Sequence, residues 1–240
     1  MTVPDSLLHA AHTLVDQLRP LKFAAPITHV YNPLDYAIAP HEQYVHKFAT
    51  GPRRIVMLGM NPGPWGMAQT GVPFGEIPSV RDWMGIHSPV GKPPVEHPKR
   101  PIEGFACKRS EGSGKRLWGY FAQRFGAAEN FFKEHFVANY CPLVFMVEGG
   151  GNFTPDKLPR VEATAIEQAC DAHLRSVVEA LQPEWLIGVG AFAEAQAMKQ
   201  QAHFPKLKVG RILHPSPASP AANKDWAGTV ERQMQEMGAW

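Results

Sequence analysis

The sequence is poor in cysteine. Cys107, Cys141 and Cys170 are its only three, widely spaced and without a Cys-x-x-Cys pair. No thiolate zinc or iron–sulfur spacing is present, and an odd, sparse set points to reduced thiols in a reducing compartment. Histidine offers no substitute: His9 and His12 lie three apart on a segment whose apolar periodicity reads as a surface helix, so no metal is expected. Long apolar runs are missing as well. No segment approaches the length that spans a bilayer, and no basic region followed by an apolar stretch opens the chain. Neither a membrane span nor a secretory signal is expected, and the reading is of a soluble intracellular protein. An excess of one charge is also absent, with 24 Lys+Arg against 22 Asp+Glu. Two signatures of catalysis are missing too. No Gly-x-Ser-x-Gly elbow occurs, which excludes an esterase built on His214 and a serine. Gly112-Ser-Gly-Lys115 looks like the end of a phosphate-binding loop, but position 109 is Arg where Gly is needed. Arg116 stands where such a loop places the Ser or Thr that binds magnesium.

What is present suffices for one domain over residues 1–240, with 44% of residues apolar. Apolar periodicity and end signals predict helices over Ser6–Leu18 (capped by Asp5 or Ser6, stopped by Pro20), Glu42–Phe48, Val80–Ile86, Lys115–Phe125 and Glu129–Glu134. Further helices are predicted over Pro159–Leu181, Phe192–Gln200 and from about Asn223 to Met237. Apolar runs predict strands at Arg54–Leu58, Phe136–Leu143, Trp185–Gly190 and Leu207–His214, with residues 20–40 extended. Strands alternating with helices imply parallel pairing and right-handed crossovers. The expected fold is a three-layer α/β/α sandwich around a four-stranded parallel sheet.

The most informative segment is Gly59-Met-Asn-Pro-Gly-Pro-Trp-Gly-Met-Ala-Gln-Thr-Gly-Val-Pro-Phe-Gly75, which follows the first strand and holds five glycines and three prolines. A loop this long is uncommon in a compact domain unless it binds something, and the end of a parallel strand is where such sheets hold ligands. Asn61 follows the first strand, Asn139 lies late in the second and His214 follows the fourth, so one rim can gather all three. Each also has a plain structural reading: a turn for Asn61, a loop hydrogen bond for Asn139, a strand-end histidine for His214 and a core ring for Phe74. His214-Pro-Ser-Pro-Ala-Ser-Pro220 forms a stiff ridge whose Ser216 and Ser219 suit phosphate oxygens. Eight basic residues against three acidic ones between Lys92 and Arg124 suit a phosphate backbone, or simply a solvated loop.

Several motifs together resemble a known family, the single-strand-selective monofunctional uracil-DNA glycosylases, a branch of the uracil-DNA glycosylase superfamily. The likeness runs from about Thr28-His-Val-Tyr-Asn-Pro33 to the last helix. It includes the glycine loop, Val80-Arg-Asp-Trp83, Glu96-His-Pro-Lys-Arg-Pro101, Ser113-Gly114 with Arg116 and Trp118-Gly119, Asn139-Tyr-Cys-Pro142, and His214-Pro-Ser-Pro217 with Ala222-Asn-Lys-Asp-Trp226. It implies that Asn61 holds the hydrolytic water, that His214 bonds uracil O2 and steadies the departing base, and that Asn139 reads the base edge. By the same resemblance Phe74 stacks on the base, Met60 adds contacts to it, and Gly63 leaves room at C5 for groups such as 5-hydroxymethyl. Pro215, Ser216, Pro217, Ala218, Ser219 and Lys224 are implied to meet DNA. Vertebrate members carry arginine where this chain has Ala218, so the wedge here is short.

The implied activity is release of uracil from single- and double-stranded DNA by hydrolysis, leaving an abasic site for base excision repair. A damage reader without activity would keep the pocket and lose the water-positioning group, and Asn61 is present. A monomer without metal or organic cofactor and without membrane contact is expected. Its place would be the cytoplasm, with the nucleoid, in a prokaryote, or the nucleus in a eukaryote.

Overall fold

Residues 1–240 are described by a computed structural model, in which the chain begins with α1 (Val3–Leu18), β1 (Ile27–Tyr31), α2 (Pro33–Tyr36), α3 (Ile38–Phe48), β2 (Ile55–Gly59) and α4 (Met67–Thr70). A π-helical turn (Ser79–Trp83) and a 3-10 turn (Gly104–Ala106) precede α5 (Gly112–Phe125), α6 (Ala128–Phe132), β3 (His135–Asn139), β4 (Val144–Val147) and β5 (Asn152–Phe153). After a second 3-10 turn (Pro155–Lys157) come α7 (Arg160–Leu181), β6 (Trp185–Val189), α8 (Ala191–Gln200), β7 (Lys208–Ile212) and α9 (Pro220–Glu236). No helix is long and apolar enough to cross a membrane.

The four expected parallel strands form one sheet in the order β3-β2-β6-β7. β2, β3 and β6 are buried along their whole length, β2 and β6 as apolar runs and β3 with the polar His135 and Asn139 at its two ends. β7 alternates exposed and buried residues, as an edge does. β3 is the other edge, and the Tyr44 hydroxyl covers it, donating to Val137 O (2.9 Å) and accepting from Val137 N (3.3 Å). From β2 the chain steps outward to β3, then returns across to β6 and on to β7. Right-handed crossovers in opposite directions place α5 and α6 on one face and α7 and α8 on the other. The reversal leaves a crevice at the carboxyl ends of β2 and β6, the position at which open parallel sheets bind ligands.

Several boundaries differ from expectation. α1 starts at Val3 because Thr2 and Asp5 cap each other, Asp5 N donating to Thr2 Oγ1 (3.3 Å) and Thr2 N to Asp5 Oδ2 (3.0 Å). The segment 20–40 is not merely extended: it holds β1, α2 and the start of α3. β1 joins β4 and β5 in a second, antiparallel sheet of order β1-β4-β5, which was not expected. The long run Phe136–Leu143 divides, because β3 ends at Asn139 and Pro142 has no N–H to continue a ladder. The glycine loop contains the helical turn α4, and α9 begins at Pro220 under a Ser219 cap rather than at Asn223. α9 breaks at Asp225, whose carboxylate caps the next segment by accepting from Gly228 N (2.8 Å).

One buried histidine ties the sheet to the last residue. His135 is 2% exposed and stacks on Phe131 with ring centroids 4.7 Å apart. Its Nδ1–H donates to Phe131 O (2.9 Å), and Nε2 accepts from Trp240 Nε1 (3.0 Å). A proton on Nε2 would face the indole N–H, and burial holds the imidazole pKa down to about 4. Between pH 6.5 and 4 the unfolded chain therefore binds the extra proton and stability falls with pH; His135 contributes about 3 kcal/mol to a loss that His41 and His173 share, since burial holds their pKa down to about 4 as well. Urea unfolding at pH 7.5 and pH 4.5 should show that loss. His135→Gln should start less stable and lose correspondingly less on acidification; an equal loss in both would remove His135 as the cause.

Candidate active site

A cleft of about 520 Å³ opens at that crevice, within the size range of small-molecule sites. Its floor is set where β2 and β3 end side by side, with Gly59 paired to Asn139. Asn139 is 9% exposed; its Nδ2 has only the thioether of Met67 as acceptor (3.3 Å), and its Oδ1 is buried with no partner. A buried acceptor left unpaired costs about 1–3 kcal/mol, so this carboxamide is set up for a ligand that supplies a donor.

Phe74 stands beside it. Its backbone has φ 53°, the left-handed region that costs a bulky residue strain. The loop enforces it: Phe74 O accepts from Glu76 N (2.7 Å) and Gly75 N donates to Val72 O (2.9 Å). Two glycines make space for the result. A Cβ at Gly59 would come 2.6 Å from the Phe74 ring and overlap Asn139 Oδ1, and one at Gly114 would lie 2.9 Å from the Phe74 carbonyl carbon. Buried Gln69 fixes the same loop from below. It donates to Pro64 O and Pro101 O and accepts from Glu103 N and Gly104 N, so its carboxamide is fully paired.

Asn61 donates Nδ2 to Leu143 O (3.0 Å), with Pro62 O a weaker acceptor at 3.4 Å. Two carbonyls on one side fix the amide nitrogen there and leave Oδ1 for whatever enters the cleft. His214 follows β7 and packs against Gly190, whose φ of 92° and missing Cβ admit the imidazole. Ser216 N donates to His214 Nδ1 (3.1 Å), so the neutral ring carries its proton on Nε2. Desolvation lowers the His214 pKa, which keeps that neutral form at pH 7.

Distant segments thus meet as expected. Asn61, Phe74, Asn139 and His214 all line the cleft, together with Met60 and Gly63. Ser216 and Pro217 line its rim. Ala218 and Lys224 are exposed outside it, and Ser219 is occupied as the cap of α9. Pro215 is buried and shapes the ridge from beneath. Arg116 holds the ridge to α5, donating to Pro215 O (3.1 Å) and to Asn223 Oδ1 (2.9 Å). Asn223 in turn donates to Pro217 O (2.8 Å).

Trp65, Glu111, Asn152 and Thr154 also line the cleft, and the sequence did not single them out. Only Trp65 carried a signal, an aromatic within the glycine loop. Arg100 and Arg109 lie over its ring, 4.9 and 5.6 Å from the centroid, bringing part of the basic stretch to the cleft. No group of three His, Cys, Asp or Glu is arranged to hold a metal ion.

Comparison with known proteins bears on the family and the fold. Residues 46–235 match the model of the uracil DNA glycosylase superfamily. A single-strand selective monofunctional uracil-DNA glycosylase of Rattus norvegicus is 47% identical over 99% of this chain and 86% of its own length. Its counterpart in Bos taurus is 44% identical, over 99% of this chain and 88% of its own. Among solved structures, wild-type SMUG2 of Pedobacter heparinus superposes with a TM-score of 0.71. That comparison covers 100% of this chain and 98% of the other at 18% identity, a likeness of fold.

Proposed function

The chain belongs to the uracil DNA glycosylase superfamily, and we propose that its cleft receives one uracil turned out of DNA and hydrolyses the bond to the sugar. The protein is a monofunctional uracil-DNA glycosylase acting in base excision repair. The observation that carries the reading of the site is the meeting of Asn61, Phe74, Asn139 and His214 around a buried, unpaired Asn139 Oδ1.

The chemistry follows from the atoms. Uracil offers N3–H as donor and O4 as acceptor on one edge. Asn139 Oδ1 takes the N3 proton and Nδ2 exchanges its weak sulfur acceptor for O4. Cytosine reverses both polarities and leaves every group facing its like, a mismatch that costs far more than a missing methyl. Phe74 lies under the base plane, its ring set before the base arrives by the strained loop. Breaking the N-glycosidic bond leaves positive charge on the sugar and negative charge on the base. His214 Nε2–H is the fixed donor for O2, where that negative charge gathers, a contribution of about 3 kcal/mol. Asn61 has no useful pKa and is no base. It orients water through Oδ1, which suits a bond that breaks before attack is far advanced.

The DNA is single- or double-stranded and the enzyme works as a monomer. Gly63 puts no side chain of its own toward C5, so 5-substituted uracils such as 5-hydroxymethyluracil are substrates too. Incubation with a uracil-containing oligonucleotide, then alkali, tests the reading: an alkali-labile site should form, and borohydride should trap no covalent adduct. Intact DNA after alkali would refute it.

The ridge carries Ala218 at its exposed turn, which cannot fill the space of an extruded base. Ala218→Arg should therefore slow release of abasic duplex product by about tenfold. Product dissociation measured by stopped flow checks this, and unchanged kinetics would show that the tip does not enter the helix.

A further inference from the structure

The space beside Gly63 is not empty. A Cβ at Gly63 would overlap the Glu111 carboxylate and lie 3.1 Å from its Cδ, and one at Gly66 would come within 2.8 Å of its Cγ. Two glycines of the loop after β2 are thus shaped around one acidic side chain that reaches in from the start of α5 and lines the cleft. Burial raises the pKa of its carboxyl, and the N–H groups of Ser113 and Trp65 partly offset this. It is an acceptor in a largely water-poor wall, with no role in the steps above.

In uracil, C5 lies across the ring from C2 and next to C4. With O2 on His214 and the N3–O4 edge on Asn139, C5 turns away from His214 toward the segment that leaves β2 beside Asn139. That segment contains Gly63, with Glu111 against it. Size alone would not exclude thymine, because a gap that admits hydroxymethyl admits the smaller methyl at least as well. A carboxylate reverses the order. It gains a hydrogen bond from a hydroxyl at C5, whereas a methyl group strips its water and returns nothing. Resting on the base orientation proposed above, we propose that Glu111 determines specificity at C5, accepting a hydrogen bond from a 5-hydroxymethyl or 5-hydroxyl group and rejecting a 5-methyl group.

Single-turnover release should be compared on single-stranded oligonucleotides that differ only in carrying uracil, 5-hydroxymethyluracil or thymine. The ratio of 5-hydroxymethyluracil to uracil rates should fall about tenfold or more in Glu111→Ala and by less in Glu111→Gln. Thymine release should rise relative to 5-hydroxymethyluracil in both. Reading ratios cancels any general loss of activity, and the near-isosteric Glu111→Gln carries the test if Glu111→Ala does not fold. A ratio unchanged within about twofold in the variants that fold overturns the assignment and leaves the glycosylase intact. Failure of the unaltered protein to release uracil overturns the underlying reading, and this assignment with it.

Discussion

Replacing Asn61 with alanine is expected to slow uracil release by about a thousandfold while DNA binding changes by less than about threefold. In the proposed reading the carboxamide acts on the attacking water and not on the base, so its loss would fall on the chemical step. Its Nδ2 is anchored on Leu143 O, which fixes where Oδ1 points. Removing the side chain frees both the water and that carbonyl. The second effect costs about 1–3 kcal/mol of stability, a fall of several degrees in Tm for a domain of this size. Single-turnover rates at saturating enzyme, read beside a melting curve, separate the two. A variant that melts several degrees lower yet releases uracil at a near-normal rate would take Asn61 out of the reaction.

His214→Ala should cost about a hundredfold to a thousandfold in the same assay, the usual loss when one fixed donor to a developing anion is removed. The pH profile carries the sharper expectation. Burial lowers the imidazole pKa, and Ser216 N–H already occupies Nδ1. The acting form is neutral, so kcat/KM should stay flat as pH rises from 7 through 8 and fall on the acid side. There the second proton would meet the Ser216 amide head-on, and the ridge that begins at Pro215 would be disturbed. An activity that fell as pH rose through 7 would instead mean that the imidazolium is the working species.

The central sheet was legible because its strands are solid apolar runs between punctuated loops, and that pattern survives without any partner. That three distant residues would line one cleft was legible for a related reason: Asn61, Asn139 and His214 each follow or end such a run, and the parallel sheet brings those ends to one rim. The antiparallel sheet was not legible. Ile27–Tyr31 reads polar at Thr28 and His29, and it becomes a strand because Val144–Val147 supplies its pairing partner more than a hundred residues later. Val144 itself sat hidden behind Pro142, within or just past what looked like one long strand. Glu111 was missed because an acidic residue ahead of a helix has an ordinary reading there, as a partner of the helix dipole. Only the positions of Gly63 and Gly66 around it show that the side chain reaches into the cleft. Phe74 shows the opposite case: the aromatic was suspected, but the left-handed backbone that aims it has room only because Gly59 at the end of β2 and Gly114 in α5 lack side chains.

α5 does two things with one rigid rod. Its N-cap, Glu111, lines the cleft, and five residues on, Arg116 grips the ridge that begins at Pro215. Because a helix does not stretch, the wall and the ridge move together or not at all. In the proposed reading, lifting the ridge to let the abasic strand go would also loosen the hold on the freed base. Departure of the two products would then be geared through a single shaft, with the Arg116 guanidinium as the tooth that engages it.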